Sequence, residues 1–343
     1  MSFDPRLRAI LSRVAQSIHV VIGVVVISFV LTRALPGDPA AYFAGPAADA
    51  QSIQEIRVAL GLDKPLLEQF FIYVGDLLRG DLGQSISSGQ SVASDLAKRL
   101  PASLELTLTA LFLSCGIAIP LGILAATRQG SWIDHLCRIV VTVGVSLPTF
   151  FTGIVLIYFF YYLLGIAPSP LGRLDFIYLD PPRISGFYLI DAALAHDGET
   201  WWGAAKQLVL PAITLALFTM APIARMTRAA MLTALSADFV RTARAAGLPA
   251  RIVLFTYAFR NALLPVITTL GMVFSFALGA NVLVEKVFAW PGIGSYAVEA
   301  LVVSDYAAVQ GFVLAMALLF VLLNLMIDIL YTLIDPRVGF SAQ

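Results

Sequence analysis

The chain has 343 residues, of which 59% are hydrophobic and only 13% charged, with 22 basic against 22 acidic side chains and a mean hydropathy of +0.86. A soluble domain keeps about a quarter of its residues charged, so this composition excludes a protein that water alone solvates. The balanced overall charge also gives no general attraction to nucleic acid.

Arg6, Arg8 and Arg13 precede a first apolar run, residues 14–32. It exceeds the core of about 7–15 residues in cleaved secretory signals, so it reads as an uncleaved signal-anchor helix. A long patterned segment, 35–101, follows. In it QSIQEIRVALGL and LLEQFFIYVGDLLRGDLG have helical periodicity broken by Gly61, Pro65 and Gly80, which predicts a small helical lobe. Apolar runs at 104–127, 139–166, 208–227, 262–284 and 308–333 bring the predicted spans to six, each near the roughly 20 residues that cross a hydrocarbon core. Pro120, Pro148 and Pro222 inside them suit either kinks that shape a pathway or simple helix packing. Cys115 in an apolar run and Cys137 at the edge of a short loop are too few for a disulfide scaffold or a zinc site and read as apolar filler. The expected fold class is an all-α integral membrane protein.

Arginine predicts the orientation. Arg225, Arg228, Arg241, Arg244, Arg251 and Arg260 fall in one stretch against a single acid, Asp238. Such flanks are retained on the cytoplasmic side. An inside N-terminus also places Arg128, Arg138 and Arg337 there, opposed by Asp4, Asp134, Asp238 and Asp335. Asp38, Asp49, Asp63, Asp81, Asp95, Asp175, Asp180, Asp191, Asp197, Glu199 and all four lysines then lie outside. Both termini are expected in the cytoplasm. Within this basic stretch, residues 238–265 break at Gly247-Leu248-Pro249, where a glycine ends one helix and a proline suits the first turn of the next. The expected result is a rigid helical elbow suited to receiving a push from a partner. The same arginines also suit a helix lying on anionic lipid, each contributing about 1 kcal/mol.

Catalytic signatures are missing from the sequence. A phosphate-cradling loop needs Gly-Lys-Ser/Thr, and none of Lys64, Lys98, Lys206 and Lys286 has that setting. His19, His135 and His196 fall in a span, an inner loop and an outer loop, too far apart to cluster. There is no G-x-S-x-G elbow and no H-E-x-x-H. Ionisable groups at span edges are Arg33, Glu105 and Asp328. Glu105 reads as a first-turn carboxylate favoured by the helix dipole, and Asp328 as a structural partner of headgroups or a basic loop. No catalytic residue, bound cofactor or metal ligand is expected. That disfavours an intramembrane enzyme and a proton-coupled carrier, whose relay would lie near the midplane.

Several segments carry a resemblance: RALPGDPA at 33–40, LGLDKPLLEQF and LLRGDLGQSI in the lobe, RLPASLELTLTA entering the second span, then PLGILAATRQGSWID, SLPTFF and MTRAAML. The C-terminal stretch VEKVFAWPGIGSYAVEAL through DYAAVQGFVLAMALLFVLLNLMIDILYTLIDPRV adds to them, in the same order. The chain thus resembles the inner-membrane permease subunits of bacterial dipeptide and oligopeptide ABC importers, of the B type, across nearly its whole length. The resemblance implies the type I ABC importer fold, divided into a cytoplasmic N-terminus (1–13), a first transmembrane helix (14–32), a periplasmic lobe (33–101), a transmembrane domain (102–333) with a coupling loop (228–261), and a cytoplasmic C-terminus (334–343). It implies that the elbow is the EAA-type coupling helix that docks on an ATPase subunit, through Asp238, Phe239, Val240, Arg241, Thr242, Ala243, Arg244, Ala245, Ala246, Gly247 and Leu248. Ala246 departs from the lysine more common in this branch. Ala243, Ala245, Ala246 and Gly247 are small enough for close approach, and Phe239 and Leu248 suit anchors.

The resemblance also implies a periplasmic docking and gate region with Trp290, Pro291, Gly292, Ile293 and Gly294, beside the lobe and the 168–207 loop. Implied partners are a homologous second permease subunit, two ATPase subunits that hold ATP and Mg, a periplasmic solute-binding protein, membrane lipid and the peptide. Relatives of the same plan carry nickel complexes, glutathione or opines, and FYLIDAAL at 187–194 looks closest to dipeptide permeases.

Overall fold

The structure is a computed structural model and describes residues 18–30, 33, 38–45, 48–59 and 61–334. The predicted N-terminal segment, both ends of the first span, residues 34–37 of the RALPGDPA boundary and the C-terminal segment from 335 lie outside the described residues. Among the described residues the protein is helical, with a single isolated bridge between Gln84 and Ser91. Four helices among the described residues are long and apolar enough to cross a membrane: Val92–Thr127, Gly198–Ser236, Ala250–Val287 and Tyr306–Ile327. Shorter apolar helices are Ile18–Val30, Thr149–Leu163 and Ile293–Val302.

In chain order we label α1 (Ile18–Val30), then α2 (Pro39–Ala44), α3 (Ala50–Ala59), α4 (Leu66–Leu78), α5 (Val92–Thr127), α6 (Trp132–Ser146) and α7 (Thr149–Leu156). A π segment, π1 (Ile157–Leu163), extends α7. Next come α8 (Tyr188–Leu194), α9 (Gly198–Ser236), α10 (Asp238–Ala245), and the continuous run α11 (Ala250–Ile252), π2 (Val253–Phe259) and α12 (Arg260–Val287). α13 (Ile293–Val302) and α14 (Tyr306–Ile334) are the last elements among the described residues. The helices form two compact units: Met1–Leu100 with Gly292–Leu325, and Pro101–Pro291 with Met326–Gln343.

In the first unit, Val92 and Leu96 at the start of α5 bury against Ile293, Tyr296 and Ala300 of α13 and Ala308 of α14. The predicted helices of the 35–101 segment are present as α3 and α4, the latter entered through Pro65. Phe29 of α1 meets Phe70 edge-on, and the Arg33 guanidinium lies 4.5 Å from the Phe29 ring centroid. Gln69 secures the preceding turn by donating to the Lys64 carbonyl at 2.8 Å while its own carbonyl accepts from Arg33. Asp305 caps α14 through the Ala308 amide and accepts from Ser85 Oγ at 2.6 Å, tying the Gly80–Gly89 turns to that helix.

In the second unit α9 is the mast. Within its most apolar stretch 72% of residues are buried, against 33% in α5, and α12, α6, α7, α8 and α10 all pack on it. Lipid tails are as apolar as the side chains, so tight packing depends on small residues that let backbones approach. A Cβ at Gly122 of α5 would come within 2.9 Å of the Ala224 carbonyl oxygen, and one at Gly144 of α6 within 2.7 Å of the Leu217 oxygen. Polar side chains add to this. Ser114 of α5 shares a 2.5 Å hydrogen bond with Thr219 of α9 and donates to the Ala216 carbonyl.

Two expected boundaries change. The predicted third span, 139–166, is interrupted: α6 stops at Ser146 and α7 begins after Pro148. Proline disfavours the helical region for the residue before it, and Leu147 is extended at φ −101, ψ 133. Pro120 and Pro222, by contrast, sit within continuous helices. The second span begins earlier than expected, because α5 starts at Val92 and runs through Pro101.

The close approach at Gly144 makes a direct test. Gly144→Val must push α6 off α9 and should cost about 1–3 kcal/mol, whereas Gly116→Ala, with nothing within 4 Å, should be neutral or slightly stabilising. Thermal unfolding of the two variants in detergent checks this.

Candidate coupling site

The elbow forms for local reasons. α10 opens after Ala237, which is extended at φ −73, ψ 151, with no side-chain cap. Asp238 in the first turn and Arg244 in the last oppose the helix dipole at its two ends. At the far end Gly247 takes φ +74; its amide donates to the Arg244 carbonyl and the Leu248 amide to the Ala243 carbonyl. This is the paired 5→2 and 6→1 pattern of a Schellman cap, which requires a left-handed residue. Pro249 occupies the N-cap position of α11, at ψ 140, one residue before the first turn where the sequence places it.

α10 has two faces. Val240 and Ala243 are buried with Met231 and Ala234 of α9, Ile123 and Ala126 of α5, and Val253, Ala258 and Ala262 of the following helix. Leu248 packs against the same cluster. The other face carries Asp238, Phe239, Arg241, Thr242, Arg244, Ala245 and Ala246, all exposed, with Phe239 at 41%. Phe239, Thr242 and Ala246 share the i, i+3, i+7 spacing of one stripe. The predicted coupling residues therefore divide: Val240, Ala243 and Leu248 hold the elbow to its own chain, and the rest face outward. Arg241 and Asp238 pair with each other at 3.3 Å on the surface, which contributes little. The helix leaving the elbow carries π2, a geometry that recurs at functional positions.

Asp134 lies at this end of the unit and is fully buried. Arg228 grips it with a fork, Nε to Oδ1 at 2.7 Å and Nη2 to Oδ2 at 3.0 Å, while Arg138 Nη2 and the Gly130 amide donate to Oδ2. Arg228, then Arg138, then the Gly130 N–H hold this carboxyl well below the usual 3.8. By sequence Asp134 is one acid among many arginines, and only the fold shows that it is buried.

The candidate gate residues fall at the end of α12 and the start of α13. Trp290 is 1% exposed and its indole N–H donates to the Ala102 carbonyl at 2.9 Å. Ala289 before it takes φ +50, a costly conformation for a residue with a Cβ. In the first unit Gly292, Ile293 and Gly294 are buried; of the five predicted residues only Pro291 is exposed, and the exposed apolar side chains that follow in sequence are Leu301, Val302 and Val303.

Glu105 requires a correction. It lies well inside α5, not in a first turn, and is 5% exposed. It accepts from the equally buried Arg173 at 2.5 Å and from the Leu189 amide at 2.9 Å. Arg173 also donates to the Gly186 carbonyl and lies 3.6 Å from the Tyr188 ring centroid. Burial first, then the Asp180 carboxylate, pushes the Tyr188 hydroxyl up to about 12. Asp191 anchors the same loop through the Ser185 and Gly186 amides, at 2.7 and 2.9 Å. Burial pushes its carboxyl up, but the Ser185, Gly186 and Ile184 hydrogen bonds more than offset this and leave it lowered. A second buried acid missed from sequence is Glu285 of α12, which accepts from Ser103 Oγ and from Asn281 Nδ2. It stood just beyond the predicted end of its span. The side chain of Asp328 lies outside the described residues.

This arrangement holds a helical elbow with a free outer face on a bundle of apolar helices, and comparison with known proteins identifies the family of the chain. The family model for the binding-protein-dependent transport system inner membrane component matches residues 118–340. The chain belongs to this family. The companion model for the N-terminal part of such components matches residues 6–107. Among curated relatives, the Probable D,D-dipeptide transport system permease protein of Escherichia coli strain K12 is 47% identical over 321 residues, covering 93% of this chain and 94% of the relative. The Di/tripeptide transport system permease protein of Pseudomonas aeruginosa strain UCBPP-PA14 is 43% identical over 92% of this chain and 94% of its own. The Dipeptide transport system permease protein of Alkalihalophilus pseudofirmus is 37% identical over 96% and 98%. The chain is thus a multi-pass component of the inner membrane with the fold of the type I importer family.

Two measurements probe this site. Gly247→Ala should cost about 1 kcal/mol, because its φ of +74 is strained for any side chain although nothing crowds a Cβ there. Circular dichroism melts of the detergent-solubilised protein read that loss. A lowered folded pKa at Asp134 means that its stabilisation is complete above the ordinary 3.8 and is lost as pH falls toward the folded value. Asp134→Asn should therefore lower the melting temperature equally at about pH 6 and pH 8, and the gap should narrow only below about pH 4.

Proposed function

We propose that this chain is the permease subunit of an ATP-driven importer that moves dipeptides or short oligopeptides from periplasm to cytoplasm. The observation that carries the reading is α10, whose inner face is consumed by its own bundle while Phe239, Thr242, Ala245 and Ala246 stand exposed on a capped, rigid helix. Relatives named as peptide permeases at 37–47% identity support the substrate class.

In this reading α1, α5, α7 with π1, α9, α11 through α12, and α14 are the six spans. The arginines Arg225, Arg228, Arg241, Arg244, Arg251 and Arg260 support a cytoplasmic elbow and cytoplasmic termini. A periplasmic solute-binding protein delivers peptide at the opposite face, near the 33–101 lobe, the 168–207 loop and the Trp290–Gly294 turn. Two ATPase subunits, which hold ATP and Mg, engage α10 here and its counterpart on a second, homologous permease. Their closure moves the elbows and opens the path between the two permeases. This chain contributes no catalytic group; it receives force through small residues and Phe239, and its apolar spans let the peptide pass without a tight resting place.

The test is assembly and uptake. Ala246→Trp alters only the exposed stripe and should leave folding within about 0.5 kcal/mol, as surface substitutions do. It should nonetheless strip the ATPase subunits from the purified complex and abolish ATP-dependent dipeptide uptake into proteoliposomes. Phe239→Ala should weaken ATPase binding by about 2 kcal/mol, roughly 30-fold. Uptake by the isolated chain under a proton gradient alone would overturn the reading.

A further inference from the structure

The mast α9 has a rider. α6 packs mainly along α9, antiparallel to it, and the two helices meet at three levels. At the elbow end Arg228 of α9 forks onto Asp134 in the first turn of α6. Midway, Cys137 and Val141 bury with Met220, Ala221, Ile223 and Ala224. At the far end Gly144 sits against the Leu217 carbonyl, closer than any Cβ allows. Asp134 and Gly144 are ten residues apart on α6, about 15 Å of helix.

Two ties at that separation make the pair one rigid rod; a single tie would let α6 pivot or slide. The apolar middle is non-directional and resists sliding poorly. The two hydrogen bonds of a bidentate charged pair are directional and tolerate little displacement, so register along the rod depends on it. α9 continues only eight residues past Arg228, to Ser236, and α10 starts at Asp238. The elbow and the ion pair therefore sit on the same stretch of α9. Beyond Gly144, α6 leads through Leu147 and Pro148 into α7 and π1, so whatever fixes α6 also fixes where that apolar helix begins.

We propose that Asp134 is a positioning residue for energy coupling: the pin through which a displacement of α10, carried by α9, is passed to α6 and on to α7. This inference rests on the reading of α10 as the coupling helix. Arg138 also reaches Asp134, but from the same helix, one turn on and largely exposed, so it bridges nothing.

The experiment uses the complete transporter, with its ATPase subunits, second permease and binding protein, reconstituted in vesicles and supplied with a dipeptide that the unaltered complex imports. The readout is ATP hydrolysed per peptide imported, alongside ATPase-subunit retention. Asp134→Asn and Arg228→Met should each raise that ratio about tenfold, within the range of ordinary coupling energies, with the ATPase subunits still bound. Arg138→Ala should leave it within about twofold, since its pair lies within one helix. Arg228→Lys, which keeps the charge and loses the fork, should shift the ratio in the same direction by less.

An unchanged ratio in Asp134→Asn, or hydrolysis and import falling together, would overturn the pin, as would Arg138→Ala matching Asp134→Asn. If Asp134→Asn does not assemble, an unchanged ratio in Arg228→Lys overturns it equally. Ala246→Trp, run in parallel, separates the two levels: if it keeps its ATPase subunits and imports normally, the coupling reading falls and the pin with it. If it loses them while Asp134→Asn stays fully coupled, only the pin falls.

Discussion

Backbone contact along α9 governs the second unit. Inside a bilayer there is no water to expel between helices, so the energy of assembly comes from packing at short range and from polar groups that find each other. Gly122, Gly144 and Gly153 supply the short range on three helices that face α9 or its neighbours. Ser114 and Thr219 supply the polar contact between α5 and α9. With α9 buried on most sides, a displacement at one end has little room to be absorbed within the helix. It is shared with the helices packed on it.

The buried charges follow from the same medium. An isolated carboxylate in a low-dielectric interior is costly, and Asp134, Glu105 and Glu285 are each compensated by more than one donor. Asp134 has four, Glu105 has Arg173 and the Leu189 amide, and Glu285 has Ser103 and Asn281. Each set joins segments distant in the chain. Asp134 ties α6 to α9, Glu105 ties α5 to the loop before α8, and Glu285 ties α12 to α5. The members of each set that cross between segments are directional, which suits them to fix the register of helices that apolar packing alone would let slide.

The elbow combines the two themes. Its Schellman cap and the following proline stop the helix after Ala245 and turn the chain within a few residues, so α10 is short and rigid. Val240, Ala243 and Leu248 seat it on the ends of α5, α9 and α12, leaving the Phe239 stripe outward. A force on that stripe meets packed side chains from three long helices. Arg241, Arg244, Arg251 and Arg260 around it remain at the surface, where headgroups or a partner can meet them.

Sequence by itself determined the medium, the helical class, the basic end and the break at Gly247-Leu248-Pro249, because these depend on composition and on interactions within a few residues. The helices of the lobe were legible for the same reason: Gly61, Pro65 and Gly80 act locally. Tertiary structure alone decided which acids are buried. Glu105, Asp134 and Glu285 have partners up to about 180 residues away, such as Ser103 for Glu285, and no local pattern marks such a pairing. It also decided which face of α10 is free, since Ala243 and Ala246 are alike in sequence and differ only in whether α9 and α5 cover them. The division of the third span at Pro148 lies between the two. Proline restricts its predecessor, yet Pro120 and Pro222 are accommodated inside helices, and the surrounding packing selects the outcome.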